Sequence, residues 1–260
     1  MTVNLLRKFC LAVSACLLLT GLAACAVPFQ PAATPVPATV PAAPLVTVTL
    51  AAGTEIGRQP AYTIATEMPA LEGAPAAQAA VFDADLAGVI QSQVADFKKS
   101  VRENASAAAI VGGSSYFDQR LGLVSFVGQT VSLKLVTEAY IASSAHPYHL
   151  SVSYTFDLAA GKTLSLDGLF LPGASYLQAI ADDCRAQLAA RQMAEDIFAQ
   201  GADPTPENYR VWNLTADGLL ITFNEYQVAP YASGPQTVVV PYTRLKTLID
   251  PHGPLATFAP

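Results

Sequence analysis

Cysteine, histidine and charge are all scarce in this sequence. Its 260 residues include four cysteines and three histidines, and 13% of them are charged. Three of the cysteines lie within the first 25 residues, so only Cys184 remains for the rest of the chain and no disulfide can form there. Cys184 recurs with Leu177, Ile180 and Leu188 at helical spacing, which predicts a buried side chain and not a nucleophile.

The sequence also lacks the common marks of an active site. It contains no Gly-x-Ser-x-Gly elbow and no glycine-rich phosphate loop. His146 and His149 flank Pro147, which disfavours a helix, and in an extended segment their side chains would point to opposite faces. The third histidine, His252, lies in a Pro-Gly segment. We therefore predict no metal site, no cofactor and no catalytic residue.

The chain begins with the features of an export signal. Arg7 and Lys8 precede the apolar stretch FCLAVSACLLLTGLAA, which is too short to cross a membrane with both flanks. The stretch runs into LAAC, residues 22–25, which resembles the lipobox of bacterial lipoproteins. That resemblance implies cleavage before Cys25 and acylation of its thiol, so we expect the protein to be anchored to the outer face of the bacterial cell membrane.

Residues 26–45 are rich in Pro and Ala and carry no charge, which predicts an extended tether. Loss of Arg7 and Lys8 with the signal would leave 12 of the 14 basic residues against 20 acidic ones, a net charge of −8. This balance disfavours nucleic acid as a partner and is compatible with a cationic protein.

Hydrophobic periodicity predicts two main helices, at residues 79–104 and 175–200. Ser175 is expected to cap the second helix and Gly201 to close it. In the first helix the apolar side chains recur every three or four positions: Phe82, Leu86, Ile90, Val94, Phe97 and Val101. A short C-terminal helix is predicted to start at Pro241.

Two segments alternate with a period of two, which is typical of strands with one buried face. Residues 131–141 place Val131, Leu133, Leu135, Ala139 and Ile141 inward, and residues 149–158 place Leu150, Val152, Tyr154, Phe156 and Leu158 inward. We expect the intervening side chains Ser151, Ser153 and Thr155 to face water. Further strands are predicted at 61–66, 116–126, 211–215, 219–224 and 236–240. Strands grouped around two helices indicate an α+β fold with a largely antiparallel sheet.

Aromatic side chains are concentrated in two connections. The segment FNEYQVAPYASGPQTVVVPY, residues 223–242, carries Tyr226 and Tyr231 between two predicted strands, and YIASSAHPYHL, residues 140–150, carries His146 and Tyr148. One interpretation is that these tyrosines cover the rim of the core. The other is that they form a recognition surface, since tyrosine combines apolar area with a hydrogen-bonding group.

These two stretches, together with the segment GKTLSLDGLF, resemble the extracellular domain of RsiV-type anti-sigma factors, which also precedes the catalytic domain of PdaC-type peptidoglycan deacetylases. The family pattern has a Gly-Ala-His-Pro-like turn, a strand, a Gly-Lys segment, and later a tyrosine-rich loop that ends in Pro-Tyr. Ser143 and Ser144 stand where a glycine is usual. The resemblance extends from about Val46 to Asp250, which implies an N-terminal module at 46–112, a C-terminal module at 113–251 and a tail at 252–260.

In RsiV-type proteins this domain binds lysozyme outside the cell. The resemblance therefore implies a lipid-anchored surface protein that binds a cationic, lysozyme-like protein or a cell-wall component and is not an enzyme. We expect the binding module alone, without the anti-sigma segment or the deacetylase domain. Tyr226, Tyr231, Tyr148 and His146 are the candidate ligand-binding residues, and Cys25 is the candidate lipidation site. A cell-envelope hydrolase that uses His146 or His149 is the alternative.

Overall fold

The computed structural model describes residues 45–191 and 196–260. The lipobox and nearly all of the tether therefore lie outside the described residues. The α-helices are α1 (Ala76–Glu103), α2 (Ala105–Val111), α3 (Tyr176–Ala190) and α4 (Tyr242–Leu245). The strands are β1 (Thr47–Arg58), β2 (Ala61–Glu72), β3 (Ser115–Val127), β4 (Thr130–Tyr140), β5 (Tyr148–Asp157), β6 (Lys162–Thr163), β7 (Trp212–Thr215), β8 (Gly218–Phe223) and β9 (Gln236–Val240).

The strands form two sheets. Six strands lie in the order β1-β2-β3-β4-β5-β6, and three more lie in the order β7-β8-β9. Neighbouring strands are antiparallel except β2 and β3, which are parallel because α1 and α2 provide the long crossover that parallel neighbours need. The predicted α+β class with a largely antiparallel sheet is confirmed, and β1 is a strand that the periodicity analysis did not predict.

Helix α1 covers one face of the large sheet. Its buried side chains include Phe82, Leu86 and Ile90, which pack against Leu133 and Phe156 of β4 and β5. Farther along the helix, a second apolar cluster joins side chains of α1, β2, β3 and β4 and extends to the residue after β4: Phe97, Val101, Ile64, Phe117, Ala139 and Ile141. Residues 46–112 and the first half of 113–251 therefore share one sheet and both of these apolar clusters.

Helix α3 covers the outer face of the small sheet. Ile180, Cys184 and Leu188 are fully or almost fully buried, and they belong to one apolar cluster with Ile221 and Val238. The prediction that Cys184 is buried is confirmed. Burial raises the pKa of its thiol to about 12, so the thiolate that a nucleophile requires does not form near neutral pH.

The second predicted helix is shorter than expected. It ends at Ala190, where the Arg191 N–H bonds to the Leu188 carbonyl three residues back, a tighter turn than the α-helix uses. A 3-10 helix, Asp196–Ala202, lies farther along the chain and includes Gly201. Ser175 precedes α3 but makes no side-chain cap hydrogen bond.

The expectation that one face of β5 is wet is wrong. Ser151 and Thr155 are buried, because β7 of the small sheet packs across the other face of β3, β4 and β5. Sequence alternation separates polar from apolar side chains, but it does not reveal that a polar face is covered. The two sheets therefore meet through hydrogen bonds as well as through apolar contact.

Ser132 is the centre of this polar contact. Its hydroxyl accepts hydrogen bonds from the Asn213 amide at 3.0 Å and from the Leu214 N–H at 3.1 Å. A serine oxygen has two acceptor positions and one proton, so the 2.8 Å contact with the Thr155 hydroxyl must use the Ser132 proton. The Asn213 amide also donates to the Leu133 carbonyl at 2.7 Å, which fixes β7 against β4.

We expect Ser132→Ala to lower the free energy of unfolding by about 1–3 kcal/mol, because it leaves buried donors on β7 without their acceptor. Urea denaturation measures this loss. Ser106→Ala, at an exposed position of α2, is the matched control and should leave stability unchanged or slightly higher. Equal stability of the two variants would contradict a hydrogen-bonded contact between the sheets.

Candidate functional site

The small sheet leaves one part of the large sheet open, and a cleft of about 540 Å³ lies there. Its floor is formed by side chains of β3, β4 and β5. Its wall is the connection between β8 and β9, residues 224–235, which we call the β8–β9 loop. The cleft therefore combines a rigid floor of paired strands with a wall carried by a loop, an arrangement common in binding sites.

The floor is arranged in register across three strands. Asp118 lies opposite Glu138, and Glu138 lies opposite His149. Two carboxylates in directly opposed positions repel each other, so this row is electrostatically unfavourable unless other groups compensate. Arg120 provides part of the compensation, since its Nε donates to Asp118 at 3.0 Å.

The β8–β9 loop is held against β5 by two side chains. Asn224 accepts from the Ser151 N–H at 2.8 Å and donates to the Ser151 carbonyl at 3.3 Å, in the manner of a paired strand residue. Glu225, only 6% exposed, accepts from the His149 N–H at 3.0 Å and from His149 Nδ1 at 2.6 Å.

These contacts fix the orientation of the His149 ring. A carboxylate oxygen only accepts, so Nδ1 carries the proton in this contact. His149 Nε2 then faces the cleft, with the nearer oxygen of Glu138 at 3.8 Å.

Tyr116 lies next to the floor and contacts Glu138. Its hydroxyl donates to Glu138 Oε1 at 2.7 Å, and this bond to a carboxylate raises the pKa of the phenol to about 12. The Tyr116 ring lies 5.9 Å from that of Tyr140, its partner across the strands. The open end of the large sheet is therefore both aromatic and acidic.

Three of the four predicted ligand-binding residues lie together at the cleft. The rings of His146 and Tyr231 are 4.1 Å apart, and those of Tyr231 and Tyr226 are 5.8 Å apart. The Tyr231 hydroxyl donates to the Pro147 carbonyl at 3.0 Å, which ties the β8–β9 loop to the turn before β5. Tyr226 is 56% exposed at the end of this row, which we call the aromatic row.

Tyr148, the fourth predicted residue, lies apart from the aromatic row. It alternates with His149 along β5 and is opposite Ala139, which is buried on the α1 side of the sheet. Burial raises the pKa of its phenol, with a smaller contribution from Asp96 of α1. Tyr148 is therefore on the opposite face of the sheet from the cleft.

The expectation that His146 and His149 point to opposite faces is wrong. Both contact the β8–β9 loop, because His146 lies in the turn before β5 begins and so does not obey strand alternation. Within residues 45–191 and 196–260, no three His, Cys, Asp or Glu side chains are grouped as a metal site requires. Over the same ranges, no helix is long and apolar enough to span a membrane.

The sequence analysis missed Tyr116, Glu138 and Glu225. Glu225 and His149 are 76 positions apart in the chain, so no local pattern connects them. The alternation of β4 does place Glu138 on the face opposite Leu135 and Ala139. That position could have been identified as facing the cleft if the second sheet had been known.

Fold and cleft together define an α+β protein with two sheets, a covering helix on each, and an aromatic, acidic cleft at the open end of the larger sheet. Residues 167–243 match the model of a family described as "Protein of unknown function (DUF3298)". This region runs from the segment before α3 to α4 and includes the β8–β9 loop.

Several known proteins are similar to this chain. The immunogenic proteins MPB64 of Mycobacterium bovis and MPT64 of Mycobacterium tuberculosis are each 26% identical over 121 residues, 46% of this chain and 52% of theirs. The peptidoglycan-N-acetylmuramic acid deacetylase PdaC of Bacillus subtilis is 25% identical over 130 residues, 49% of this chain and 28% of the deacetylase. The matches thus span about half of the immunogenic proteins and a smaller share of the deacetylase.

Solved structures show the same fold. A crystal structure of a DUF3298 family member from Bacteroides fragilis has a TM-score of 0.58 at 15% identity and covers 83% of this chain and 97% of that one. A DUF3298 family protein from Pseudomonas aeruginosa has a TM-score of 0.53 at 15% identity, with 84% and 98% covered. The resemblance to this domain family, drawn from the sequence, is confirmed.

Backbone strain marks the turn where this sequence departs from the family pattern. Ser143 has φ +93°, a conformation that favours glycine, and Tyr226 in the β8–β9 loop has φ +63°. We expect Ser143→Gly to raise the free energy of unfolding by up to about 1 kcal/mol, because relief of the strain exceeds the added flexibility of the unfolded chain. Thermal or urea denaturation measures the gain.

Ser144→Gly is the matched control for this variant. Ser144 is exposed and has no positive φ, so glycine there should lower stability by about 0.5–1 kcal/mol. A shift of both variants in the same direction would contradict a strained Ser143.

Proposed function

We propose that the protein is an exported bacterial lipoprotein that binds a cell-surface ligand through the aromatic row and the adjacent cleft, and that it carries out no chemistry there. The observation that carries the proposal is the stacking of His146, Tyr231 and Tyr226 in one row, in which Tyr231 lines the cleft. Exposed tyrosines at an interface supply large contact area at little cost in side-chain entropy.

Strain in the backbone supports the same assignment. Tyr226 keeps a left-handed conformation that costs about 1–2 kcal/mol for a residue with a side chain, while its ring stays 56% exposed. If the ring only covered the core, it would be buried, and its burial would offset the cost of the strained backbone. Strained residues of this kind cluster at binding and active sites.

The proposed ligand is either a cationic protein such as lysozyme or a component of the cell wall. The net charge of −6 over the whole chain favours encounter with a cationic partner, and the carboxylates of the cleft lie beside the aromatic row. PdaC, named as a peptidoglycan deacetylase, is 25% identical to this chain over 130 residues, which supports a role at the wall.

A hydrolase that uses His149 is the alternative, and one observation favours it. Glu225 orients the imidazole so that Nε2 faces an open cleft, as a general base requires. Within the described residues, however, no serine or threonine hydroxyl is hydrogen-bonded to either ring nitrogen of His146 or His149. Binding without turnover therefore accounts for more of the geometry.

We expect Tyr226→Gly to weaken binding of lysozyme by about 2 kcal/mol, because the most exposed aromatic anchor of the row is lost. The same change should not lower the melting temperature, because glycine tolerates the left-handed backbone. Titration calorimetry at low salt and a thermal melt of the same sample separate the two effects. Cell-wall fragments serve as the second ligand in a sedimentation assay.

Phe126→Ala is the control for this experiment, since Phe126 is another exposed aromatic side chain and lies at the far end of β3. It should leave binding unchanged. The proposed function would be contradicted if the unaltered protein bound neither lysozyme nor wall fragments. Hydrolysis of the fragments that His149→Ala abolishes would favour the enzyme instead.

The proposed membrane anchor depends on Cys25, which is outside the described residues. We expect Cys25→Ala to release the protein from the membrane fraction of a bacterial host, because the acyl chains on Cys25 would anchor the protein in the bilayer. Fractionation and immunoblotting measure the change, with Cys184→Ala as a control that should stay in the membrane fraction. Retention of the Cys25→Ala protein after washing would contradict the lipoprotein assignment.

A further inference from the structure

The cleft has an excess of negative charge that its own residues do not neutralise. Asp118 is paired with Arg120, so these two groups cancel. Glu138 and Glu225 remain, and both face the single imidazole of His149. Even a protonated His149 would leave one negative charge in the cleft.

Glu138 is the carboxylate best placed to meet a ligand. Its Oε1 already accepts from Tyr116 at 2.7 Å, but its Oε2 is 3.8 Å from His149 Nε2, beyond hydrogen-bonding distance. The side chain is 52% exposed, whereas that of Glu225 is 6% exposed and occupied by His149. Glu138 therefore offers a free acceptor to the cleft.

The opposite side of the cleft is apolar. Tyr231, Ala232, Gly234 and Pro235 of the β8–β9 loop form it. The Tyr231 ring already stacks with His146 and Tyr226, so a ligand in the cleft meets its remaining apolar surface together with Ala232 and Pro235. The small side chains leave space for a flat ring beside this wall. A volume of about 540 Å³ falls within the range of small-molecule sites, about 300–1,000 Å³.

These three features specify the chemistry of the ligand. It needs an apolar ring face toward Tyr231, several hydrogen-bond donors toward the carboxylates, and a positive charge beside Glu138. A pyranose with a free amino group combines all three, whereas a lysine side chain lacks the ring face and a neutral sugar lacks the charge.

We propose that the cleft binds an amino sugar with a free amine, within a polysaccharide of the cell surface. The sugar ring lies against Tyr231, its hydroxyl groups donate to the carboxylates, and its ammonium group pairs with Glu138. This inference rests on the proposed function, since it names the ligand class of the same binding surface.

The test compares two oligosaccharides of equal length, a β-1,4-linked glucosamine tetramer and its fully N-acetylated form. Calorimetry is run with the purified protein at a mildly acidic pH, at which the sugar amine is protonated. We expect the free-amine tetramer to bind about tenfold more tightly or better, because only it places a charge beside Glu138.

Variants then assign the preference to particular side chains. Glu138→Gln should reduce the ratio of the two affinities to near one, whereas Tyr231→Leu should weaken both sugars and preserve the ratio. Glu103→Gln, an exposed acidic residue at the end of α1, is the control for net charge and should change neither affinity. Thermal melts of each variant confirm that it is folded.

Two results would overturn the inference: equal affinity for the two tetramers, or a preference that survives Glu138→Gln. Binding of neither tetramer would also overturn it, but retained binding of lysozyme or wall fragments by the same sample would leave the proposed function standing. Binding of polylysine that requires Glu138, without any binding of sugar, would overturn it in favour of a cationic peptide.

Discussion

The hydrogen bonds between the two sheets determine where everything else in the molecule lies. The face of the large sheet that carries Ser132 and Thr155 is too polar to pack against a helix, and it is covered instead by β7 through Asn213. Because buried polar groups must be paired, the fit of β7 to β4 is directional and fixes one position of the small sheet. That position leaves the ends of β3, β4 and β5 uncovered, and the cleft is the space that results.

The packing of the two sheets also positions the residues of the candidate site. Asn224 and Glu225 follow β8 directly, so the placement of the small sheet brings them to Ser151 and His149. Tyr231, farther along the β8–β9 loop, reaches the turn before β5 through the Pro147 carbonyl. The β8–β9 loop therefore contacts the YIASSAHPYHL segment twice, at Pro147 in the turn before β5 and at His149 in β5. This attachment explains how two stretches that looked unusual separately in the sequence form one site.

The sequence predicted the elements well and their assembly poorly. Alternation identified β4 and β5, and helical spacing identified the buried side of α1, because both patterns arise from burial on a single face. The strand β1 was missed, since most of its side chains are exposed at the edge of the sheet and show no alternation. Ser151 and Thr155 are buried although they were expected to face water, because polar alternation is identical whether a second sheet or solvent covers the face. In the site, local composition pointed to Tyr226, Tyr231 and His146, whereas Glu138 and Glu225 gain their role only from contacts between distant strands.

The division of the cleft into a strand floor and a loop wall has an evolutionary consequence. Floor residues such as Glu138 and His149 occupy positions in a paired register, where an insertion or deletion would turn every later side chain to the other face. Residues 232–235 lie between Tyr231, the last anchoring side chain of the loop, and β9, where length and composition can vary without disturbing a sheet. Proteins with this architecture can therefore diversify in what they recognise by exchanging one loop, while the scaffold beneath it stays the same.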